Sequence, residues 1–146
     1  MSVIPGGCNV AVSRDRDQAL AVVAAAHHSV FTLEHARLTG ISSKEREHRV
    51  ATGQWLVLHE DVYLVAGATR SWKGDLLAAC WAGGFRAVAS HRSAAALWDL
   101  AGGRRSIQEI TCPRWRRARH DGLVVHESKA FDPVDAMVIE GIPVRG

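Results

Sequence analysis

Six arginines, Arg104, Arg105, Arg114, Arg116, Arg117 and Arg119, fall between residues 104 and 119, with Glu109 as the one acid among them. A guanidinium is a planar fork that pairs with phosphate through two hydrogen bonds and stacks on bases. This run, with Trp115 inside it, therefore has the composition of a nucleic-acid contact surface. The alternative is a solvated hairpin in which Arg merely replaces Lys. Arg supplies 15 of the 18 basic residues. Beyond residue 120, Asp121, Glu127, Asp132, Asp135 and Glu140 outweigh Lys129 and Arg145. The net charge of +3 thus understates the positive field of the first 120 residues.

Other reactive side chains yield less. His27, His28 and His35 are close in sequence, but neighbouring residues on a helix point about 100° apart, and no carboxylate at matching spacing accompanies them. No metal and no cofactor is expected. Ser90-His91-Arg92-Ser93 at the start of a helix allows anion binding or a His91/Ser93 base and nucleophile pair. The local account is preferred, in which Ser90 caps, His91 bonds nearby and Ala94 to Trp98 pack. Cys8, Cys80 and Cys112 are far apart and contain no Cys-x-x-Cys pair, so they read as small apolar residues. A Gly-rich phosphate loop, a Gly-x-Ser-x-Gly elbow and a His-Glu-x-x-His helix are all lacking, and the chain is not expected to be an enzyme.

The elements that must position these residues can be read from period and punctuation. A first helix is expected over 15–28, with Asp15 and Asp17 near its positive end and Leu20, Val23 and Ala26 recurring at helical spacing. Thr32 is an N-cap for a two-turn helix ending at Gly40. Ser42, three residues before Glu45, is a capping box that opens a third helix running to about Thr52. Ala36, Gly40 and Ile41 are the small residue, flexible turn and apolar plug of a helix-turn-helix. The third helix has only Val50 and Ala51 for an apolar face, so its ends must hold it. Gln54 to His59 and Val62 to Val65 read as a hairpin, the wing of a winged helix, although Glu60-Asp61 places two negative charges at its tip. After the boundary at Gly67 to Ser71 come two helices, striped by Trp72, Leu76 and Cys80 and by Ala94, Leu97 and Trp98. Three strand candidates follow, Ile107 to Cys112, Leu123 to Glu127, and Met137 to Val144.

With 47% apolar and 23% charged residues the chain can bury a core, which excludes bulk disorder. The longest apolar run, Ala19 to Ala26, falls well short of the roughly 20 residues a bilayer needs. Residues 1–7 carry neither a basic nor an apolar export region, so a cytoplasmic location is expected.

Several of these segments together resemble one family. Gly40-Ile41-Ser42, Arg49-Val50, Tyr63-Leu64-Val65-Ala66-Gly67, and above all Ser90-His91-Arg92-Ser93-Ala94 with Leu97-Trp98-Asp99-Leu100, followed by Glu109 to Pro113 and Gly141-Ile142-Pro143-Val144, are similar to AbiEi-type antitoxins of abortive-infection toxin–antitoxin systems and their actinobacterial relatives. The resemblance spans about residues 17–146. It implies an α+β chain: a winged helix-turn-helix over 15–67 that binds operator DNA, then a small α/β antitoxin-like domain over 70–146, expected to be incomplete because relatives continue past Gly146. It also implies a transcriptional regulator that autoregulates a type IV toxin–antitoxin operon and counters a nucleotidyltransferase-like toxin. The DNA contacts expected are Ser42, Ser43, Lys44, Arg46, His48 and Arg49 on the third helix, with Arg114, Arg116, Arg117 and Arg119 adding phosphate contacts. Arg46 or Arg49 would read guanine, and a homodimer on paired half-sites is expected by analogy. The alternatives are a protein-interaction module anchored by Trp72, Trp81, Trp98 and Trp115, and the DNA-targeting front of a nuclease-like protein.

Overall fold

The Ala-rich first segment forms α1 (Pro5–Ala25), which begins with a proline, a residue suited to the first helical position. The computed structural model describes residues 5–84, 86–129 and 136–145, with side chains from Arg14 onward. Met1 to Ile4, the Cys8 side chain, Asp132 and Asp135, all used in the sequence reading, lie outside these. The first helix stops before the expected residue 28. His28 and Ser29 both take positive φ (57° and 70°), and Ser29 N–H returns to Ala24 O at 2.8 Å, turning the chain into a strand.

That strand, β1 (Val30–Thr32), is followed by α2 (Leu33–Leu38), α3 (Ser43–Ala51), β2 (Trp55–His59) and β3 (Val62–Val65). The three strands form an antiparallel sheet in the order β1-β3-β2. Because side chains alternate across a strand, this sheet has two apolar faces. Phe31 and Trp55, with Tyr63 and Val65, pack with Leu20, Ala24, Ala36 and Ile41 of the helical layer. Val30, Val62 and Leu64 point the other way, into a larger core.

The larger core is organised by α4 (Trp72–Ala82), buried on nearly every side by Leu76, Leu77, Ala78, Ala79, Cys80 and Ala82. It lies between the first sheet and a second, built from β4 (Val88–Ala89), β5 (Gln108–Cys112), β6 (Leu123–Glu127), β7 (Ala136–Ile139) and β8 (Ile142–Arg145). The second sheet runs β6-β5-β4-β8-β7, with β5/β6 and β4/β8 parallel and the other pairs antiparallel. On β5, Ile110 and Cys112 face α4, while Glu109 and Thr111 face α5 (His91–Leu97). Three expectations change here. The segment from Met137 to Val144 is a hairpin turning at Glu140-Gly141, where both residues take positive φ. The Arg-rich connection over 113–122 is not a hairpin, because the strands it joins are parallel. The 67–71 segment is a surface turn, yet the core passes beneath it and includes residues from both sides.

Among the described residues the molecule is a mixed α+β structure of five helices and eight strands in two sheets. No described helix is long and apolar enough to cross a membrane.

Candidate nucleic-acid interface

The turn between α2 and α3 follows from its residues. Gly40, at φ 86°, lets Gly40 N–H reach Arg37 O (3.0 Å) while Ile41 N–H reaches Ala36 O (3.1 Å), closing α2. Ala36 and Ile41 are both buried, the small residue and the plug. Each helix opens on a capping box. Thr32 Oγ1 accepts from His35 N–H, and Ser42 Oγ accepts from Glu45 N–H at 3.2 Å.

Charge fastens α3 to the rest of the domain. Arg16 of α1 donates to Gly40 O (2.8 Å) and to Glu45 Oε1 (3.0 Å). Arg49 pairs through Nε and Nη2 with both carboxylate oxygens of Asp17 (2.9 and 3.1 Å), approaches Glu45 (3.6 Å), and lies over the Trp55 ring at 5.9 Å. Burial pushes the Glu45 carboxyl up, but hydrogen bonds from Ser42 and the charges of Arg16 and Arg49 outweigh it and hold it below its ordinary value. A helix with almost no apolar face is thus docked on α1 by alternating charges.

This arrangement redistributes the expected contacts. Arg49 is only 5% exposed and faces α1, so it is not placed to read bases. Arg46 is half-buried and folds back, donating to Ile41 O (2.9 Å) and Ser43 Oγ (2.8 Å), which ties the turn to the helix. Ser42 acts as the cap. Ser43, Lys44 and His48 lie exposed, together with Glu47 and Ala51, and Lys44 and His48 border a cleft shared with Asp17, Glu45 and Arg49.

The second basic region divides in the same way. Arg114, Arg116 and Arg119 are exposed. Arg117 is held: it donates to Ala82 O at the end of α4 and to Glu60 O at the tip of the β2–β3 hairpin (3.2 Å). The tip is also tied down by Leu33 N–H, which donates to Asp61 O at 2.9 Å, so it sits against α2 rather than projecting. Arg105 stacks over Trp72 at 5.4 Å. The tryptophans offered as interface anchors divide too: Trp98 is exposed, Trp72 and Trp81 are half-buried. Trp115 is buried, Trp72 donates to Ile107 O (3.0 Å), and Trp81 packs on His27 and His35.

A bulge between Val57 and His59 re-aims His59 toward this junction, where it packs edge-on to Trp115 and beside His120. Burial, then the charges of His120, Arg117 and Arg70, lower its pKa from the ordinary 6.5 to about 4. An unfolded chain takes up this proton from 6.5 downward and the folded chain only near 4, so folding stability falls as pH drops through that window. His59→Phe is expected to flatten the loss between pH 6.5 and 4 by about 3 kcal/mol, read from urea midpoints; an unchanged slope would reject this origin.

The Ser90-His91-Arg92-Ser93 segment clamps α5 onto β5. Ser90 sits at the cap position but its side chain caps nothing; its Oγ accepts from Thr111 Oγ1 at 2.8 Å. Ser93 Oγ accepts from Glu109 N–H (2.7 Å) and donates to Ile107 O (3.3 Å), completing a stretch of β5 that has no strand neighbour on that side. Its proton is engaged there, so the imagined Ser93–His91 pair is not formed. The capping role passes to Glu109, missed in the sequence reading: Oε1 accepts from Arg92 N–H (3.0 Å) and Arg92 Nε (2.9 Å), and Oε2 lies 2.7 Å from His126 Nε2. Burial pushes this carboxyl up, but the bonds from Arg92 and His126 prevail and hold it at about 2. Cys80 and Cys112 are buried, and burial drives the Cys80 thiol up to about 12, an unreactive state.

No protein-family model and no curated protein matches this chain.

Proposed function

We propose that the chain is a DNA-binding transcriptional regulator whose residues 15–67 act as a winged helix-turn-helix. The observation that carries this reading is the element order α1-β1-α2-α3-β2-β3 with sheet order β1-β3-β2, combined with an α2–turn–α3 unit whose second helix presents Ser43, Lys44 and His48 to solvent. In that arrangement α3 enters the major groove, Lys44 and Ser43 contact phosphate, and His48 faces base edges. Arg49 and Arg117 maintain the scaffold, while Arg114, Arg116 and Arg119 supply the positive field beside it. The acidic hairpin tip, tied down by Arg117 and Leu33, plays little part. The resemblance of 90–100 to antitoxins extends the reading to an operon-autoregulating antitoxin with a nucleotidyltransferase-like toxin as partner. Co-purification with the neighbouring gene product tests that extension.

The primary test is a mobility shift of the full chain on the DNA upstream of its own gene across a salt series. Lys44→Ala is expected to weaken binding and to lower the salt slope by about 1. Arg49→Ala is expected to lower stability by about 2 kcal/mol through the lost α1–α3 tie, with little change in the salt slope of the protein that remains folded. No shift at low salt would overturn the proposal. A larger loss of slope in Arg49→Ala than in Lys44→Ala would overturn the assignment of the DNA-facing side.

A further inference from the structure

His91, Glu109 and His126 come from three elements, α5, β5 and β6. Each presents one ligand atom, and the three atoms lie within 4.8 Å of one another. The parallel pairing of β5 and β6 sets Thr111 beside His126, so Glu109 and His126 are diagonal neighbours on one face of the sheet. His91 opens α5 with a positive φ of 49°, and its ring lies over that of His126 with centroids 4.1 Å apart. The carboxylate is at the floor of the cluster, 3% exposed, whereas His91 is open to solvent and the His126 side chain is 40% exposed.

We propose that His91, Glu109 and His126 bind one divalent transition-metal ion of the zinc class, through two imidazoles and one carboxylate, with the remaining coordination position open to solvent. Zinc bonds to His nitrogen and carboxylate oxygen run about 2.0–2.2 Å, which separates ligand atoms by about 3.3 Å in a tetrahedral site. Reaching that spacing requires the Glu109–His126 pair, now 2.7 Å apart, to open slightly and the exposed His91 ring to turn in. The carboxylate is already oriented: Arg92 engages Oε1 through its backbone N–H and Nε, while its contact with Oε2 is long, at 3.5 Å, leaving Oε2 turned toward the imidazoles. A hydrogen-bonded carboxylate of this kind is the usual support of a metal ligand. Two imidazoles select zinc, cobalt or nickel over magnesium and calcium, which take oxygen ligands. Binding replaces the Glu109–His126 hydrogen bond with two bonds to the ion, which competes with protons for both imidazoles. This site is independent of the DNA-binding reading.

The test uses the full chain without an affinity tag, stripped with chelator and titrated with Co2+. The expected result is one equivalent bound, with the visible absorption of a low-coordinate cobalt ion, displaced by Zn2+ and untouched by excess Mg2+. Glu109 supports the fold, so the variants are His91→Gln and His126→Gln, both on accessible side chains. Each is expected to weaken Co2+ binding by more than the roughly 10–100-fold that loss of a supporting hydrogen bond costs, with an unchanged circular dichroism spectrum. His120→Gln, outside the cluster, should bind as the parent does. No Co2+ signal in the parent, or an undiminished signal in the His91→Gln/His126→Gln double variant, would overturn the proposal.

Discussion

Glu109→Ala lowers folding stability by about 3 kcal/mol, by the weight of its partners. The carboxylate is almost fully buried and receives the backbone N–H of Arg92, its guanidinium and His126. Hydrogen bonds to a charged group contribute about 1.5–3 kcal/mol each where water is excluded, but Arg92 and His126 are nearly half exposed and rehydrate when the carboxylate is lost. The uncompensated part is the Arg92 N–H at the start of α5 and the cavity beside Ser93. Glu109→Gln keeps the shape and one acceptor, and should recover about half of the loss. Chemical denaturation of the two variants at neutral pH, with chelator present, measures this. Equal stabilities for Glu109→Ala and the parent would mean that α5 is held by Ser90 and Ser93 alone.

The clamp also shows why the sequence was only partly legible. Helix limits set by local chemistry, such as the capping boxes of Thr32 and Ser42 and the Gly40 turn, could be read because donor and acceptor are within five residues. The pairing of Arg49 with Asp17 spans 32 positions, and that of Glu109 with His126 spans 17. Periodicity carries no trace of either, so Arg49 looked like a free cation and Glu109 like an isolated acid among arginines. Ser90 follows the same pattern: serine suits a cap, but a carboxylate arriving from β5 takes the position's role. Short strands were hidden by length. β1 has three residues and β4 two, too few for an alternating pattern to be told from a linker. The reversal at Met137 to Val144 was within reach, since Gly141 marks it, but an apolar run broken by a single Glu-Gly pair reads equally as one strand.

Phe31→Ala, in one of those hidden strands, is expected to have the largest effect of any single truncation considered. Phe31 is fully buried, stacked on Tyr63 at 5.4 Å and edge-on to Trp55 at 4.8 Å. Truncating such a ring costs about 3–5 kcal/mol in transfer and cavity terms, a large share of the roughly 5–15 kcal/mol available to a domain. The melting temperature should fall by roughly 8–15 °C. The form of the transition is as informative as its size. Phe31 faces the helical layer, but its strand neighbour Val30 belongs, with Val62 and Leu64, to the core around α4 that also contains Ile110, Ile142 and Val144 of the second sheet. Loosening one face of the three-stranded sheet therefore loosens the other, and the damage should pass into residues 70–146. Calorimetry of Phe31→Ala should show one transition displaced downward, followed equally by tryptophan fluorescence and far-ultraviolet circular dichroism. Two separated transitions, with only the first displaced, would show that the unit around the three-stranded sheet folds by itself and that α4 is a loose spacer. In that case Ile110→Ala, in the second sheet, would leave the transition of the three-stranded sheet in place; if the core is shared, it lowers the single transition as Phe31→Ala does.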